Sequence, residues 1–184
     1  MITVLGSTKL SFMFPTDRET AYQYYLDMGR IVQFLPHISM VSANGSHFYR
    51  LAYETVELGA YHIRILCDVE AVHDASYELL RFQPVELSPD VPAKAGFNSA
   101  VTRGFYRSES YFVSEGEQTR IEYSLQLHAD LPTPIALKVV PGSVLNKIAQ
   151  NITNWRIKEI AGGFIEGSIA YFPQWLHENQ FRIS

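Results

Sequence analysis

The residues from Tyr61 to Val72 alternate between apolar and polar side chains more regularly than any other stretch of the chain. One parity consists of Tyr61, Ile63, Ile65, Cys67, Val69 and Ala71, and the other carries His62, Arg64, Asp68 and Glu70. A period of two predicts a β-strand, and one apolar side is typical of an antiparallel sheet buried on one face. Another element must then cover that face.

Similar patterns predict further strands on both sides of this one. They lie at residues 9–14, 47–58, 76–83, 100–114 and 118–129. Two short helices are predicted after the first strand. Thr16 or Asp17 can cap the first of these helices, which ends at Gly29, and the second lies within residues 30–38.

The last fifty residues change character. From Val144 onward, apolar residues recur at steps of three and four, which predicts one long amphipathic helix. Gly162 and Gly163 within it predict a close approach of this helix to the sheet. Pro173 predicts that the helix kinks or ends there.

The order of these elements predicts an α+β fold in which a curved antiparallel sheet wraps around one long C-terminal helix. We predict a single domain over residues 1–184, with a flexible loop at 84–98, where three prolines and few core residues occur. The space between a curved sheet and a helix is concave and apolar. It is therefore where we expect a ligand pocket.

The two ends of the chain carry a family resemblance. They read FPTDRETAYQYYLDMGRIVQFLPHI near the start and LPTPIALKVVPGSVLNKIAQNITNWRIKEIAGGFIEGSIAYF near the end. The chain resembles the DUF1997 proteins of cyanobacteria and plant chloroplasts, a family of unknown function within the START and polyketide-cyclase (SRPBCC) superfamily. The resemblance implies a helix-grip fold that binds hydrophobic small molecules, with catalysis in some branches. Lipids, carotenoids, quinones and tetrapyrroles are the kinds of ligand that it implies.

Composition and motifs argue against several other classes of function. Fifteen basic and nineteen acidic residues give a net charge of -4 without a basic stripe, so no nucleic-acid partner is expected. The single cysteine and six scattered histidines predict neither a disulfide nor a metal site. No nucleophile elbow or phosphate loop occurs, so we predict no cofactor and no catalytic residue. No apolar run is long enough for a transmembrane segment, and a cytoplasmic location is the default expectation; the oligomeric state stays open.

The strand from Val101 to Val113 is ambiguous because neither of its faces is cleanly apolar. One register turns Arg103, Arg107 and Glu109 toward the interior, and the other turns Tyr106, Ser108 and Ser110 inward. Buried polar groups are costly unless they are paired, so either register suggests a pocket that holds solvent or ligand. An edge strand, whose charges prevent aggregation, is the alternative.

Aromatic residues make up 13% of the chain, and many of them can reach one cavity. Aromatic rings stack on flat ligands, while the hydroxyl of a tyrosine orients them. Arg30 and His37 are charged or titratable groups in the short-helix region, near the expected mouth of the cavity. The candidate ligand-binding residues are Arg30, Phe34, His37, Tyr53, Arg103, Tyr106, Arg107, Glu109, Tyr123, Trp155 and Phe164.

Three functions remain open from the sequence. The first is a soluble protein that binds a hydrophobic or amphipathic small molecule between the sheet and the C-terminal helix. The second is a cyclase or aromatase-like enzyme in which Arg107 and Glu109 serve in acid–base chemistry, which requires both of them to face inward. The third is an interaction or assembly module with an exposed apolar patch near the 84–98 loop.

Overall fold

The computed structural model describes residues 1–74, 76 and 78–179. These residues form eight strands: β1 (Ile2–Phe14), β2 (Ile38–Asn44), β3 (Phe48–Glu57), β4 (Tyr61–His73), β5 (Leu79–Pro84), β6 (Lys94–Ala95), β7 (Ser99–Glu115) and β8 (Gln118–Leu131). The helices are α1 (Arg18–Leu26), α2 (Met28–Ile31), and α3 (Gly142–Asn179), with 3₁₀ turns at Val32–Phe34 and Ile135–Leu137. Tyr77, within the strand predicted at 76–83, lies outside the described residues.

The strands form one sheet in the order β1-β8-β7-β5-β4-β3-β2, and β6 pairs with β7. Neighbouring strands run antiparallel, except where β4 residues 62–67 pair in parallel with β7 residues 99–104 beyond the short strand β5. α3 lies across the inner face of this sheet and packs most extensively on β1. The predicted order of a strand, short helices, an antiparallel sheet and a long C-terminal helix is confirmed.

A glycine lets α3 approach β1 closely. Gly6 faces the helix, and a Cβ at this position would lie 3.0 Å from the side chains of Thr153 and Ile157. The apolar parity of β4 faces the interior, as the alternation predicted: Ile65, Cys67, Val69 and Ala71 are buried, and Tyr61 and Ile63 are half-buried. The core therefore lies between α3 and the inner face of the sheet.

Aromatic side chains fill the end of the core nearest α1. Asp17 caps α1 by accepting a hydrogen bond from the Thr20 amide, 3.0 Å away. The rings of Phe14, Tyr24, Tyr25, Phe112, Phe172 and Trp175 pack on one another with centroid separations between 4.7 and 5.9 Å. The Tyr24 hydroxyl donates to the Ser168 carbonyl at 2.7 Å. Much of the aromatic content is therefore core packing.

The structure narrows one expectation about α3 and corrects another. The helix continues through Pro173 to Asn179, so Pro173 does not end it. Of the two glycines near its middle, Gly163 approaches the loop before β2 and Gly162 approaches neither that loop nor the sheet. A Cβ on Gly163 would lie 2.5 Å from the Pro36 ring, whereas one on Gly162 would meet nothing within 4 Å.

The segment between β5 and β7 covers part of the outer face of the sheet. Asp68 belongs to the polar parity of β4, yet only 3% of it is exposed because this segment lies over it. Arg50 makes a two-point ion pair with Asp68, at 2.6 and 2.9 Å, and donates to the Leu87 carbonyl at 2.9 Å. The backbone of Leu87 hydrogen-bonds to both members of this buried ion pair, which ties the segment predicted as a loop at 84–98 to the sheet. The segment also contains the short strand β6.

Candidate ligand-binding cavity

A cavity of about 100 Å³ lies between the N-terminal half of α3 and the sheet, and it reaches the surface beside the β3–β4 turn. The sheet contributes Ile2, Val4, Tyr53, Thr55, Glu57, Tyr61, Ile63, Ile65, Leu127 and Leu131 to its walls. The helix, the loop before it and the β3–β4 turn contribute Leu58, Leu137, Leu145, Ile148, Ala149, Ile152, Thr153 and Arg156. Nearly all of this surface is aliphatic or aromatic.

Three polar side chains of the cavity wall, Tyr53, Thr55 and Glu57, belong to β3. Tyr53 and Thr55 point inward from this strand, and the Thr55 hydroxyl donates to Glu57 Oε1 at 2.9 Å. Burial raises the pKa of Tyr53 to about 12, so its hydroxyl stays protonated and can donate a hydrogen bond at neutral pH. The cavity therefore combines a large apolar surface with a few hydroxyl groups.

Four side chains join the sheet to α3 at the mouth of the cavity, and we name this group the clasp: His37, Glu57, Arg156 and Glu159. Arg156 donates to both carboxylate oxygens of Glu57, at 2.9 and 3.3 Å, and to Glu159 Oε2 at 2.7 Å. Nε2 of His37 lies 3.2 Å from Arg156 Nη1 and from Glu159 Oε2. The clasp therefore links the loop before β2 and the end of β3 to the helix.

The clasp is partly withdrawn from water. Only 14% of the Arg156 and Glu57 side chains is exposed, and the hydrogen bond to Glu57 raises the pKa of Arg156. Burial opposes ionisation of Glu159, but hydrogen bonds from Arg156 and His37 outweigh it and hold the pKa of that carboxyl below its usual value. A shielded, two-point ion pair of this kind is stronger than an exposed one, so the clasp holds α3 against the end of β3.

A second, smaller space lies deeper in the grip. It measures about 30 Å³ and shares no lining residue with the first among the described residues. Its polar lining comes from Tyr106, Ser108, Ser110 and Tyr123, and Phe164 stacks on Tyr123 at 4.8 Å. Burial raises the pKa of the Tyr106 and Tyr123 hydroxyls. This space is large enough for a water molecule but not for a ligand.

The structure resolves the ambiguity of the strand that became β7. Tyr106, Ser108 and Ser110 face the interior, so Arg103, Arg107 and Glu109 lie on the outer face. These three candidate binding residues do not line the cavity. Instead, Glu109 pairs with Arg81 and Arg107, at 2.6 and 2.8 Å, and Arg103 reaches Asp68 at 3.1 Å. Ion pairs on the outer face therefore satisfy these charges. β5 and β8 flank β7, so the alternative of an edge strand is wrong.

Three other candidates lie away from the cavity walls. Arg30 pairs with Glu178 at 2.6 Å and joins α2 to the far end of α3. Phe34 packs against Tyr171, with ring centroids 5.6 Å apart. Trp155 is 58% exposed and rests on the Arg156 guanidinium, 4.3 Å from the ring centroid.

The remaining candidates lie along the interior. Tyr53 lines the larger cavity, His37 belongs to the clasp at its mouth, and Tyr106, Tyr123 and Phe164 line the smaller space. Sequence reasoning did not select Arg156 or Glu57. The spacing of residues in the helix could have indicated Arg156, because it follows Leu145, Ala149 and Ile152 on one face of α3.

The interior thiol has no reactive character. Cys67 is buried on the inner face of β4, and burial raises the pKa of its thiol to about 12. A protonated thiol in apolar surroundings is a weak nucleophile. Within residues 1–74, 76 and 78–179, no group of side chains is placed to hold a metal ion. No described helix is both long and apolar enough to span a bilayer.

Comparison with known proteins supports the fold and not a narrower family. No protein-family model matches the sequence, and no curated protein matches it significantly. A crystal structure of a Thermus thermophilus protein matches with a TM-score of 0.53 and 20% identity, over 89% of this chain and 97% of that one. A conserved Geobacillus kaustophilus protein matches with a TM-score of 0.54 and 12% identity, over 91% of this chain and 95% of that one.

A third solved structure has a named activity. The ZhuI aromatase/cyclase of Streptomyces sp. R1128 matches with a TM-score of 0.50 and 8% identity, over 98% of this chain and 96% of that one. The chain has the START-like helix-grip fold. At these identities the likeness extends to the fold alone, and unrelated activities recur on one fold. The function must therefore be argued from the cavity.

Proposed function

We propose that this protein binds a hydrophobic or amphipathic small molecule in the cavity between the sheet and α3. The observation that carries the proposal is the cavity itself, an apolar space of about 100 Å³ that opens at the surface beside an ion-paired clasp. Protein interiors are close-packed, and an unfilled space of this size weakens the fold around it. Binding a ligand explains why the space is kept.

The size and lining of the cavity define the chemistry of the ligand. An apolar cavity of about 150 Å³ is enough to take up benzene, whereas drug-sized ligands occupy roughly 300 Å³ or more. At about 100 Å³ the space is smaller than either, so it accepts a short stretch of aliphatic chain. The polar end of an amphipathic ligand stays at the mouth, near the Tyr53 and Thr55 hydroxyls and Arg156.

Binding is favoured over catalysis by the register of β7. The acid–base pair that a cyclase-like mechanism would use, Arg107 and Glu109, lies on the outer face and is occupied by ion pairs. We also propose kinship with the DUF1997 proteins, supported by the two sequence segments that resemble them. The common helix-grip fold is consistent with this kinship.

A series of linear alcohols from 1-butanol to 1-decanol tests the proposal, with dissociation constants measured by isothermal titration calorimetry. Each CH₂ buried in an apolar site contributes about 0.8 kcal/mol, so the dissociation constant should fall about fourfold for each added carbon. The gain should stop once the chain fills the cavity. Ile152→Phe, which narrows the cavity, should bring this plateau to a shorter alcohol.

Ile165→Phe is the matched control, because Ile165 is a half-buried residue of the same helix outside the cavity wall. Its plateau should match that of the wild type. A dissociation constant that does not depend on chain length would refute the proposal. An identical plateau in the Ile152→Phe variant would refute it as well.

A further inference from the structure

Exposed apolar side chains collect around the mouth of the cavity. Leu58 and Ile148 line the cavity and are 64% and 37% exposed. Val144, Ile148 and Trp155 are all exposed and follow the i, i+4, i+11 spacing of one helical face. Val139, two residues beyond the cavity-lining Leu137, is 89% exposed. A cluster of this kind marks an interaction site, whereas single exposed apolar residues do not.

The backbone conformation at Leu58 is one that leucine adopts unfavourably, so the turn itself does not explain this residue. Leu58 and Gly59 occupy the centre of the β3–β4 turn with φ values of 52° and 72°, and the Ala60 amide donates to the Glu57 carbonyl at 3.2 Å. Positive φ at both central positions defines a type I′ turn, which favours asparagine or glycine at the first of them. A leucine there is strained and its side chain is in water, so an external apolar contact is the better explanation.

The charge of this region is opposite to that of the whole chain. Nineteen acidic residues outnumber fifteen basic ones overall, yet residues 132–158 contain Lys138, Lys147, Arg156 and Lys158 and no acidic residue. The clasp carboxylates pair with Arg156. Within the part of the chain that the structure describes, no ion pair involves any of the three lysines. The apolar patch therefore lies in a locally cationic surface.

We propose that this face docks on a membrane surface that contains anionic lipids. Leu58, Val144, Ile148 and Trp155 enter the interface, and the lysines contact the lipid phosphates. Tryptophan and lysine are typical of such interfacial positions, and apolar insertion combined with basic residues gives reversible binding. In this orientation the cavity mouth faces the bilayer. The inference deepens the proposed function, because it names the surface from which the ligand enters.

Flotation with vesicles tests this docking. The protein should float with phosphatidylcholine vesicles that contain a quarter phosphatidylglycerol, and bind vesicles of phosphatidylcholine alone at least about tenfold more weakly. Added salt should release it. The emission of the exposed Trp155 should shift to the blue, whereas Trp175 is already buried. Absence of flotation, or flotation without this spectral shift, would overturn the proposal.

Variants separate the docking surface from the cavity. Lys147→Glu with Lys158→Glu should reduce vesicle binding at least about tenfold and leave 1-octanol binding in solution unchanged, since neither lysine lines the cavity. Leu58→Asn should also weaken vesicle binding. Leu5→Asn should not, since Leu5 is 58% exposed on the outer face of β1.

The two proposals can fail separately. Vesicle binding without alcohol binding would support the docking surface and refute ligand binding in the cavity. Alcohol binding without vesicle binding would refute only the docking surface. Concentration-dependent dimerisation that Leu58→Asn abolishes, without vesicle binding, would assign the patch to a second copy of the chain and overturn the membrane proposal.

Discussion

Filling the cavity should strengthen the fold and weaken ligand binding together. Ala149 is half-buried in the cavity wall on α3, and Ala149→Leu adds three carbon atoms that point into the space. At about 0.8 kcal/mol for each buried CH₂, complete burial raises the free energy of unfolding by roughly 2 kcal/mol. This is at the upper end of what cavity-filling substitutions commonly give. For a chain of 184 residues it corresponds to an increase in Tm of about 5 °C.

Two assays on the same samples measure the two effects. Urea unfolding followed by circular dichroism gives the free energy of unfolding, and calorimetry gives the dissociation constant of 1-octanol. The added side chain takes the place of ligand, so the affinity of Ala149→Leu should fall by at least tenfold, or about 1.4 kcal/mol. Ala170→Leu is the control, since Ala170 is an exposed residue of the same helix outside the cavity wall.

The combination of results decides the question. A lower free energy of unfolding in Ala149→Leu would mean that the space is too small or too rigid to accept the leucine. Unchanged octanol affinity would mean that the alcohol binds elsewhere. Either result contradicts the argument that this cavity is an unfilled binding site. Equal changes in stability and octanol affinity in Ala170→Leu would show that the effects of Ala149→Leu do not arise in the cavity.

Three further predictions concern the framework of the cavity. Asp68→Asn should lower the free energy of unfolding by about 3–5 kcal/mol at pH 7, measured in urea, because it leaves the Arg50 charge buried without a counter-charge. Burial alone would raise the pKa of Asp68, but hydrogen bonds from Arg50 and a backbone amide hold it below its usual value. The carboxylate therefore stabilises the fold above its unfolded-state pKa of about 3.9, and this contribution is lost as pH falls through the lower folded-state value. The acid side of the stability profile should accordingly be flatter in Asp68→Asn. Gly162→Ala should raise stability by about 1 kcal/mol, whereas Gly163→Ala should lower it by about 1–3 kcal/mol, since its methyl group would lie 2.5 Å from a proline ring; thermal unfolding of the pair checks this. Leu58→Asn should raise the free energy of unfolding by about 1 kcal/mol in the same assay, because asparagine tolerates the positive φ of the turn, and a loss of stability would contradict the strain argument.

The fold could be predicted because its elements have regular patterns. The alternation in β4 and the helical spacing of α3 both arise because one face of each element is buried in the core, so local sequence carries the information. β7 could not be assigned in the same way. Its inner face carries Tyr106, Ser108 and Ser110, while its outer face carries charges whose partners come from β5 and the covering segment. The polarity of each face depends on tertiary contacts.

The site was harder to predict than the fold. Tyr53 was selected as one of the aromatic residues expected to reach a common cavity, and it lines the cavity. The helical spacing places Arg156 on the inner face of α3, but nothing local indicates that it meets Glu57, which is far away in sequence at the end of a strand. Asp68 shows the same limit, since its position on the polar parity of β4 predicted exposure and a distant segment buried it.

Methyl resonances of the isoleucines provide the most direct test of the cavity. In protein labelled with ¹³C at the isoleucine δ1 methyl groups, 1-octanol should shift the signals of Ile63, Ile148 and Ile152, which line the cavity. The signals of Ile38 and Ile169, which lie outside its walls, should stay in place. Shifts confined to isoleucines outside the cavity, or no shifts at saturating alcohol, would contradict the claim that the ligand binds beneath α3.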